Sequence, residues 1–356
     1  MTFGRFFLPG PTEVHPDVLA AQTRPMIPHR SAAMEQLLQK VGPQLQAVAR
    51  TARPVLIGTT SATGFMEMAV RNGVRRRALS LVNGAFSERF AHIVAACGKE
   101  VIRLDVPLGQ AVEPDMLRDA LRRTPVDAVT FVHSETSTGV LQDAAALAAV
   151  IREFDDVMVL VDTVTSMCGS PVETDAWGFD FTFTGSQKAL ALPPGLALGI
   201  ASPRMLERAR TLPDRGLYFD LVSFEHAMTK FQPTNTPALS LLYALEAQLD
   251  RIVAAGGIEA RWRRHDEMRC AVERWASAHG VEYVPRAGRR SWTVSCLRLP
   301  EGRTAKDVVG KLKAQGWTIG SGYGSIKDTT IRIGHMGDHT AAGVEELLGL
   351  LEQALT

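Results

Sequence analysis

Short runs of wholly apolar residues alternate along this chain with segments whose apolar residues recur at helical spacing, and that alternation restricts the fold more than any other feature. "ALSLV" (78–82), "VDAVTFV" (126–132), "VMVLVD" (157–162) and "LALGIA" (196–201) lack the polar alternation of a half-exposed strand, so they read as strands covered on both faces. Between them "SERFAHIVAACG" (87–98) and "AAALAAVIREF" (144–154) carry helical periodicity. The succession predicts an α/β fold on a mainly parallel sheet. From about Thr236 the pattern turns to long helical stretches. A strand-like "WTVSCLRL", a helix from Thr304 to about Gln315, a further strand and a helix near 340–354 follow, predicting a smaller α/β unit. A chain of 356 residues exceeds what one core usually serves. The expected division is an N-terminal segment 1–20, a large domain 21–250 and a small domain 251–356. Its boundary falls inside helical sequence, because no Gly/Ser/Pro-rich linker separates the halves.

Lys and Arg total 39 against 38 Asp and Glu, a net charge of +1, which argues against nucleic acid or an anionic membrane as partner. The cluster "RNGVRRR" (71–77) reads as a solvated helix end. Cys97, Cys168, Cys270 and Cys296 lie far apart without a CxxC pair, so no metal site is expected and a reducing, cytoplasmic setting fits. No stretch approaches the roughly 20 apolar residues of a membrane helix.

Three features carry chemistry. Lys188 in "FTFTGSQKALALPPG" has no charged residue within seven positions on either side. It is either a lysine snorkelling from a loop or an amine in a partly dry pocket, whose lowered pKa makes it a nucleophile toward carbonyls. Asp162 closes an apolar strand, at the sheet edge where ligands of α/β folds collect; it caps the next turn or stabilises a buried cation. In "GTTSATGFMEMAV" (58–70) a turn of small residues, Ala62, Thr63 and Gly64, runs into a helix and offers backbone N–H groups to a phosphate. It is neither GxGxxG nor a P-loop, which lowers the odds of a dinucleotide or a nucleoside triphosphate. A carbonyl-binding lysine, an aspartate for a ring nitrogen and a phosphate turn together are what pyridoxal 5′-phosphate requires.

Seven ordered stretches strengthen this reading: "LPGPTEV" (8–14), "SATG" (61–64), "NGAF" (83–86), "SETSTGV" (134–140), "VDTVTS" (161–166), "GSQKAL" (185–190) followed by "PPG", and "IRIGHMG" (331–337). Through them nearly the whole chain resembles class V aminotransferases of fold type I, closest to the alanine-glyoxylate and serine-glyoxylate (serine-pyruvate) group. The resemblance implies a PLP-dependent transferase fold, a large domain with a mainly parallel seven-stranded sheet plus a smaller C-terminal α/β domain, and a homodimer with shared active sites. It implies Lys188 as the Schiff-base lysine, Asp162 as partner of the ring nitrogen, Val164 against the ring face and Gln187 near the phosphate. Phe86 matches a position that stacks on the ring, with a core aromatic as its ordinary reading. Ser137 matches a hydroxyl near the ring oxygen, while Asn83 and Glu135 read as structural. Arg332 matches the arginine that grips the substrate α-carboxylate, against a plain salt bridge. Where relatives often present a tyrosine to the phosphate across the dimer, this chain has Phe231, so that contact falls to Thr234 or Thr236.

The implied reaction moves an amino group between a small L-amino acid, alanine or serine, and a 2-oxo acid, glyoxylate or pyruvate. The alternative is phosphoserine aminotransferase. His29 and Arg30 match a pair that faces substrate across the dimer in several class V enzymes, but Ser31 equally reads as the N-cap of the helix that follows. A cysteine desulfurase would need a thiol on a mobile loop, and Cys296 sits in strand-like sequence. His335 and His339 read as packing or capping histidines, and Tyr323 in "GSGYG" as a residue near the pocket.

Overall fold

The structure, a computed structural model, describes residues 3–355. Seven strands, Val55–Gly58, Arg77–Val82, Glu100–Asp105, Ala128–Val132, Met158–Asp162, Phe181–Gly185 and Ala197–Ala201, form one sheet. Across it they stand in the order of the strands that begin at Val55, Ala197, Phe181, Met158, Ala128, Arg77 and Glu100. Ala197–Ala201 is antiparallel to both neighbours and the other pairings are parallel. The four strands anticipated from apolar runs are interior strands, and the two edge strands were not among them. Glu100–Asp105 mixes polar with apolar residues and is half in solvent, and Val55–Gly58, though apolar, is only four residues long.

Helices cover both faces, as the continuous burial of the inner strands demands. Alternate residues of the strand Met158–Asp162 enter different cores. Val159 and Val161 join one, while Met158 and Leu160 join the other, with Phe65, Met66 and Met68 of helix Ala62–Gly73 and Phe90 and Val94 of helix Ala85–Ala96. By this two-residue period Asp162 leaves the strand on the face that carries these two helices.

A four-stranded sheet comes from the two ends of the chain. Ser295–Arg298, Thr318–Ser321 and Thr330–Ile333 form most of it, and Phe6–Phe7 adds a parallel strand against Thr318–Ile319. The N-terminal segment is therefore built into the second sheet. The long helical stretch is two helices, Leu239–Ala254 and Gly257–Ala278, broken where Gly256 and Gly257 take φ of +96° and +79°, conformations that suit glycine. Among the described residues, no helix is long and apolar enough to cross a membrane.

Candidate active site

Lys188 lies in the turn after strand Phe181–Gly185, and the turn is tied from three sides. Ser186 N–H donates to Leu196 O at 2.9 Å, Thr12 N–H to Gln187 O at 2.9 Å, and the Arg261 guanidinium to Ala189 O through Nε at 3.2 Å and Nη2 at 2.6 Å. The amine is thereby held inside the protein, 8% exposed, where it donates to Pro9 O at 2.5 Å. Burial lowers its pKa from 10.5 to about 8, against the opposing pull of the Asp162 charge.

Asp162 stands at the C-terminal end of its strand, 3% exposed, and Oδ1 accepts the Val164 N–H at 2.7 Å. Burial raises its pKa from 3.8 to about 7; the Val164 N–H and the nearby Lys188 charge oppose the rise. Lys188 and Asp162 line one cavity with Ala62, Thr63, Phe86, Val164 and Gln187. The N-terminus of helix Ala62–Gly73 opens there, and the Ser61 side chain makes no capping hydrogen bond to it. Gln187 adds a buried Oε1 without a partner among the described residues.

Residues 21–347 match the class-V aminotransferase family model. The chain belongs to that family. It is 37% identical over 350 residues to an uncharacterized aminotransferase of Methanocaldococcus jannaschii, covering 97% of this chain and 90% of that one. With the L-aspartate–glyoxylate aminotransferase of Paracoccus denitrificans it shares 31% identity, over 94% and 87% of the two chains. The crystal structure of an alanine–glyoxylate aminotransferase from Nostoc superposes with a TM-score of 0.94 at 28% identity, covering 100% of this chain and 96% of that one. The fold is that of the fold type I PLP aminotransferases, and class V aminotransferases as a family depend on PLP.

In this aminotransferase the cavity continues past Lys188, Phe86 and Thr136 to Arg332, on strand Thr330–Ile333 of the second sheet. Arg332 Nε donates to Ser321 O at 2.9 Å and Nη1 to Thr136 O at 3.2 Å, which fixes the plane of the guanidinium. The Phe86 ring centroid is 5.8 Å from Lys188 Nζ and 5.9 Å from the Tyr323 ring.

Several expected residues stand apart from this cavity. Gly64 spends its N–H on Ser61 O at 2.9 Å, and its open side faces Thr60 and Phe219. Ser137 lines a neighbouring cavity; its hydroxyl accepts the Ala85 N–H at 3.0 Å and donates to Glu135 at 2.6 Å. The adjacent Thr136 is the residue of that loop that reaches both Lys188 and Arg332. Thr234 and Thr236 sit in a separate pocket with Thr59 and Tyr218. His29 is half-buried and Arg30 exposed, and neither lines the Lys188 cavity.

Other residues surface only in three dimensions. Pro9 and Gly10 belong to a quoted motif, yet their approach to Lys188 follows from the pairing of Phe6–Phe7 with the second sheet. Arg89, one helical turn beyond Phe86, lines the cavity with its guanidinium carbon 5.0 Å from the Phe86 ring centroid. An i, i+3 step from Phe86 was the available signal. His335 bonds Ser295 at 2.9 Å and His339 stacks on Phe7 at 3.9 Å, both as buried packing histidines, and Cys296 is buried in a strand.

Proposed function

We propose that this aminotransferase binds pyridoxal 5′-phosphate in the Lys188 cavity and moves an amino group from alanine or serine to glyoxylate or pyruvate. The observation that carries the proposal is that two adjoining cavities meet at one buried amine of lowered pKa, with a buried carboxylate in the first and an oriented guanidinium in the second. The residues suit the cofactor. The uncapped helix N-terminus at Ala62 and Thr63 would hold the phosphate, with Gln187, whose side-chain Nε2 can donate, lining the same cavity. Asp162, whose pKa burial raises to about 7, would regain its charge against a protonated ring nitrogen, and Phe86 and Val164 offer apolar surface for the ring. When bound, PLP supplies an electron sink that makes the substrate Cα proton removable.

The chain's own part follows from its geometry. Lys188 Nζ, neutral in a large fraction near pH 8, would hold the cofactor through its carbonyl and, as a free amine, would carry the proton to and from the substrate Cα. Arg332 grips the α-carboxylate through two parallel N–H bonds and so fixes which Cα bond faces Lys188. Leu8, Pro9, Ile319 and Tyr323 wall the same space, and Lys188 and Arg332 are its cationic residues. Arg89 lines the Asp162 end of the cavity; with no further cation among the described residues at the Arg332 end to receive a distal carboxylate or phosphate, this lining supports a small neutral side chain over aspartate or phosphoserine.

A homodimer in which a second copy brings Thr234 or Thr236 toward the phosphate is supported by their position outside the Lys188 cavity and by the exposure of Met26, Leu217 and Phe231 at 73%, 91% and 40%. Four free cysteines support a cytoplasmic setting. The test is kcat/KM for alanine, serine, aspartate and phosphoserine with glyoxylate. Alanine or serine should lead by about tenfold or more. Preference for phosphoserine would instead assign His29 and Arg30 of a second copy to the substrate.

A further inference from the structure

Two helices begin at the rim of the cavity, and their N-termini are treated in opposite ways. That of Ala62–Gly73 is left open, whereas that of Ala85–Ala96 is closed by another part of the chain. Its first three amides find partners on the 134–140 segment. Ala85 N–H donates to Ser137 Oγ at 3.0 Å, Phe86 N–H is shared between the Glu135 oxygens at 3.3 and 3.2 Å, and Ser87 N–H donates to Glu135 Oε2 at 2.9 Å. Ser137 adds its own N–H and hydroxyl to Oε1 at 3.1 and 2.6 Å. Glu135 is 0% exposed, and donors from three residues converge on its two oxygens.

The residue at the start of the helix accommodates this arrangement. Gly84 has no side chain with which to cap, and a Cβ there would lie 2.5 Å from both Glu135 Cγ and Ser137 Oγ. The space of an ordinary capping side chain is filled by a carboxylate from 51 residues further along the sequence. What that carboxylate grips directly is the amide of Phe86, the ring that walls the cavity opposite Lys188.

We propose that Glu135 is a positioning residue for the transamination site: it seats Phe86 against the cofactor and places its carboxyl group one residue, Phe86, away from the Lys188 amine. The proposal rests on the transaminase reading for its cofactor half only. The charged groups around it are Lys188 on its turn, Asp162 at its strand end, Arg332 on the second sheet and Arg89 on the capped helix. The Glu135 charge favours the protonated amine of Lys188, whereas Arg332 and Arg89 oppose it.

The test uses the full chain as wild type, Glu135→Gln, Glu135→Asp and Ser87→Ala. Without cofactor, reductive alkylation of Lys188 by formaldehyde and cyanoborohydride, followed across pH by peptide mass spectrometry, reads when the amine becomes neutral. With cofactor, quenching of tryptophan fluorescence gives the PLP dissociation constant.

Glu135→Gln keeps the volume but loses the charge and turns one acceptor into a donor facing N–H groups. The alkylation midpoint should move to lower pH by about half a unit or more, and PLP binding should weaken about tenfold or more. Glu135→Asp keeps the charge on a shorter stem, so it should hold the midpoint and weaken binding; it also serves if the glutamine variant does not fold. Ser87→Ala, which removes a hydroxyl that donates to Glu135 Oε2 at 3.1 Å but keeps the carboxylate, should hold the midpoint. A Glu135→Gln protein that melts earlier yet keeps both quantities within twofold reduces Glu135 to a helix cap and overturns the proposal, as would a Glu135→Asp protein unchanged in binding. A shifted midpoint in a chain that does not transaminate would sink the functional reading and leave the charge role standing.

Discussion

Replacing Asp162 by asparagine should stabilise the cofactor-free protein while weakening its hold on the cofactor. Burial raises the Asp162 pKa from 3.8 to about 7. Between about pH 4 and 7 the folded chain therefore holds a proton that the unfolded chain has released, and stability falls as pH rises through this window, with the full loss present above pH 7. Each tenfold change in the proton equilibrium is worth about 1.36 kcal/mol, so the loss approaches about 4 kcal/mol. Asparagine has nearly the same shape, still accepts the Val164 N–H and carries no charge. Part of the gain is returned because Lys188 loses the anion that draws its pKa upward. A net stabilisation of about 2 kcal/mol at pH 8, shrinking to little at pH 4, is expected from thermal or urea unfolding. The same substitution removes the counter-charge for the ring nitrogen, so PLP affinity should fall about 10²-fold or more in a fluorescence titration. A cofactor-free Asp162→Asn protein less stable than wild type at pH 8, or one that binds PLP as tightly, would refute the reasoning.

Lys188→Ala should abolish transamination and leave no borohydride-reducible attachment of PLP, checked by intact mass. Arg332→Ala should weaken carboxylate substrates by roughly 2 to 5 kcal/mol, seen in kcat/KM, with PLP affinity little changed because Arg332 does not line the cavity that holds Asp162 and the open helix N-terminus. Gly10→Ala places a Cβ 2.5 Å from Lys188 Nζ at a φ of +110°, and should cost about 10²-fold in kcat with the main fold intact by circular dichroism. In the cofactor-free wild type, alkylation of Lys188 should reach half its limiting rate near pH 8, where half of the amine is neutral.

Lys188 and Asp162 stood out from local context and Arg332 through the family resemblance, and the structure brings the three to adjoining cavities. An isolated lysine and an acid closing an apolar strand are visible without knowledge of distant neighbours, whereas an arginine within "IRIGHMG" gains its meaning from the motif's resemblance to a family. The inner strands were legible because burial on both faces leaves a continuous apolar run. Strand direction leaves no such trace, so nothing in "LALGIA" foretold that Ala197–Ala201 runs antiparallel to its neighbours. Nor could local pattern pair Phe6–Phe7 with Thr318–Ile319, across more than three hundred residues. Ser137 and Thr136 differ by one position, and only the fold decides which faces the cavity and which joins the cap. Glu135 was read as structural because its role depends on amides of a helix some 50 residues earlier.

The central claim is that Lys188 holds a cofactor that exchanges an amino group with a small neutral amino acid. The most direct measurement is the visible spectrum of the PLP-loaded protein on addition of L-alanine, L-serine, L-aspartate or L-phosphoserine, each without an acceptor, in wild type and Lys188→Ala. Rapid loss of the visible band with alanine or serine, its recovery on adding glyoxylate, and no such cycle in Lys188→Ala are the predicted results. A band that alanine and serine leave untouched while phosphoserine or aspartate removes it, or a full cycle in Lys188→Ala, would contradict the account.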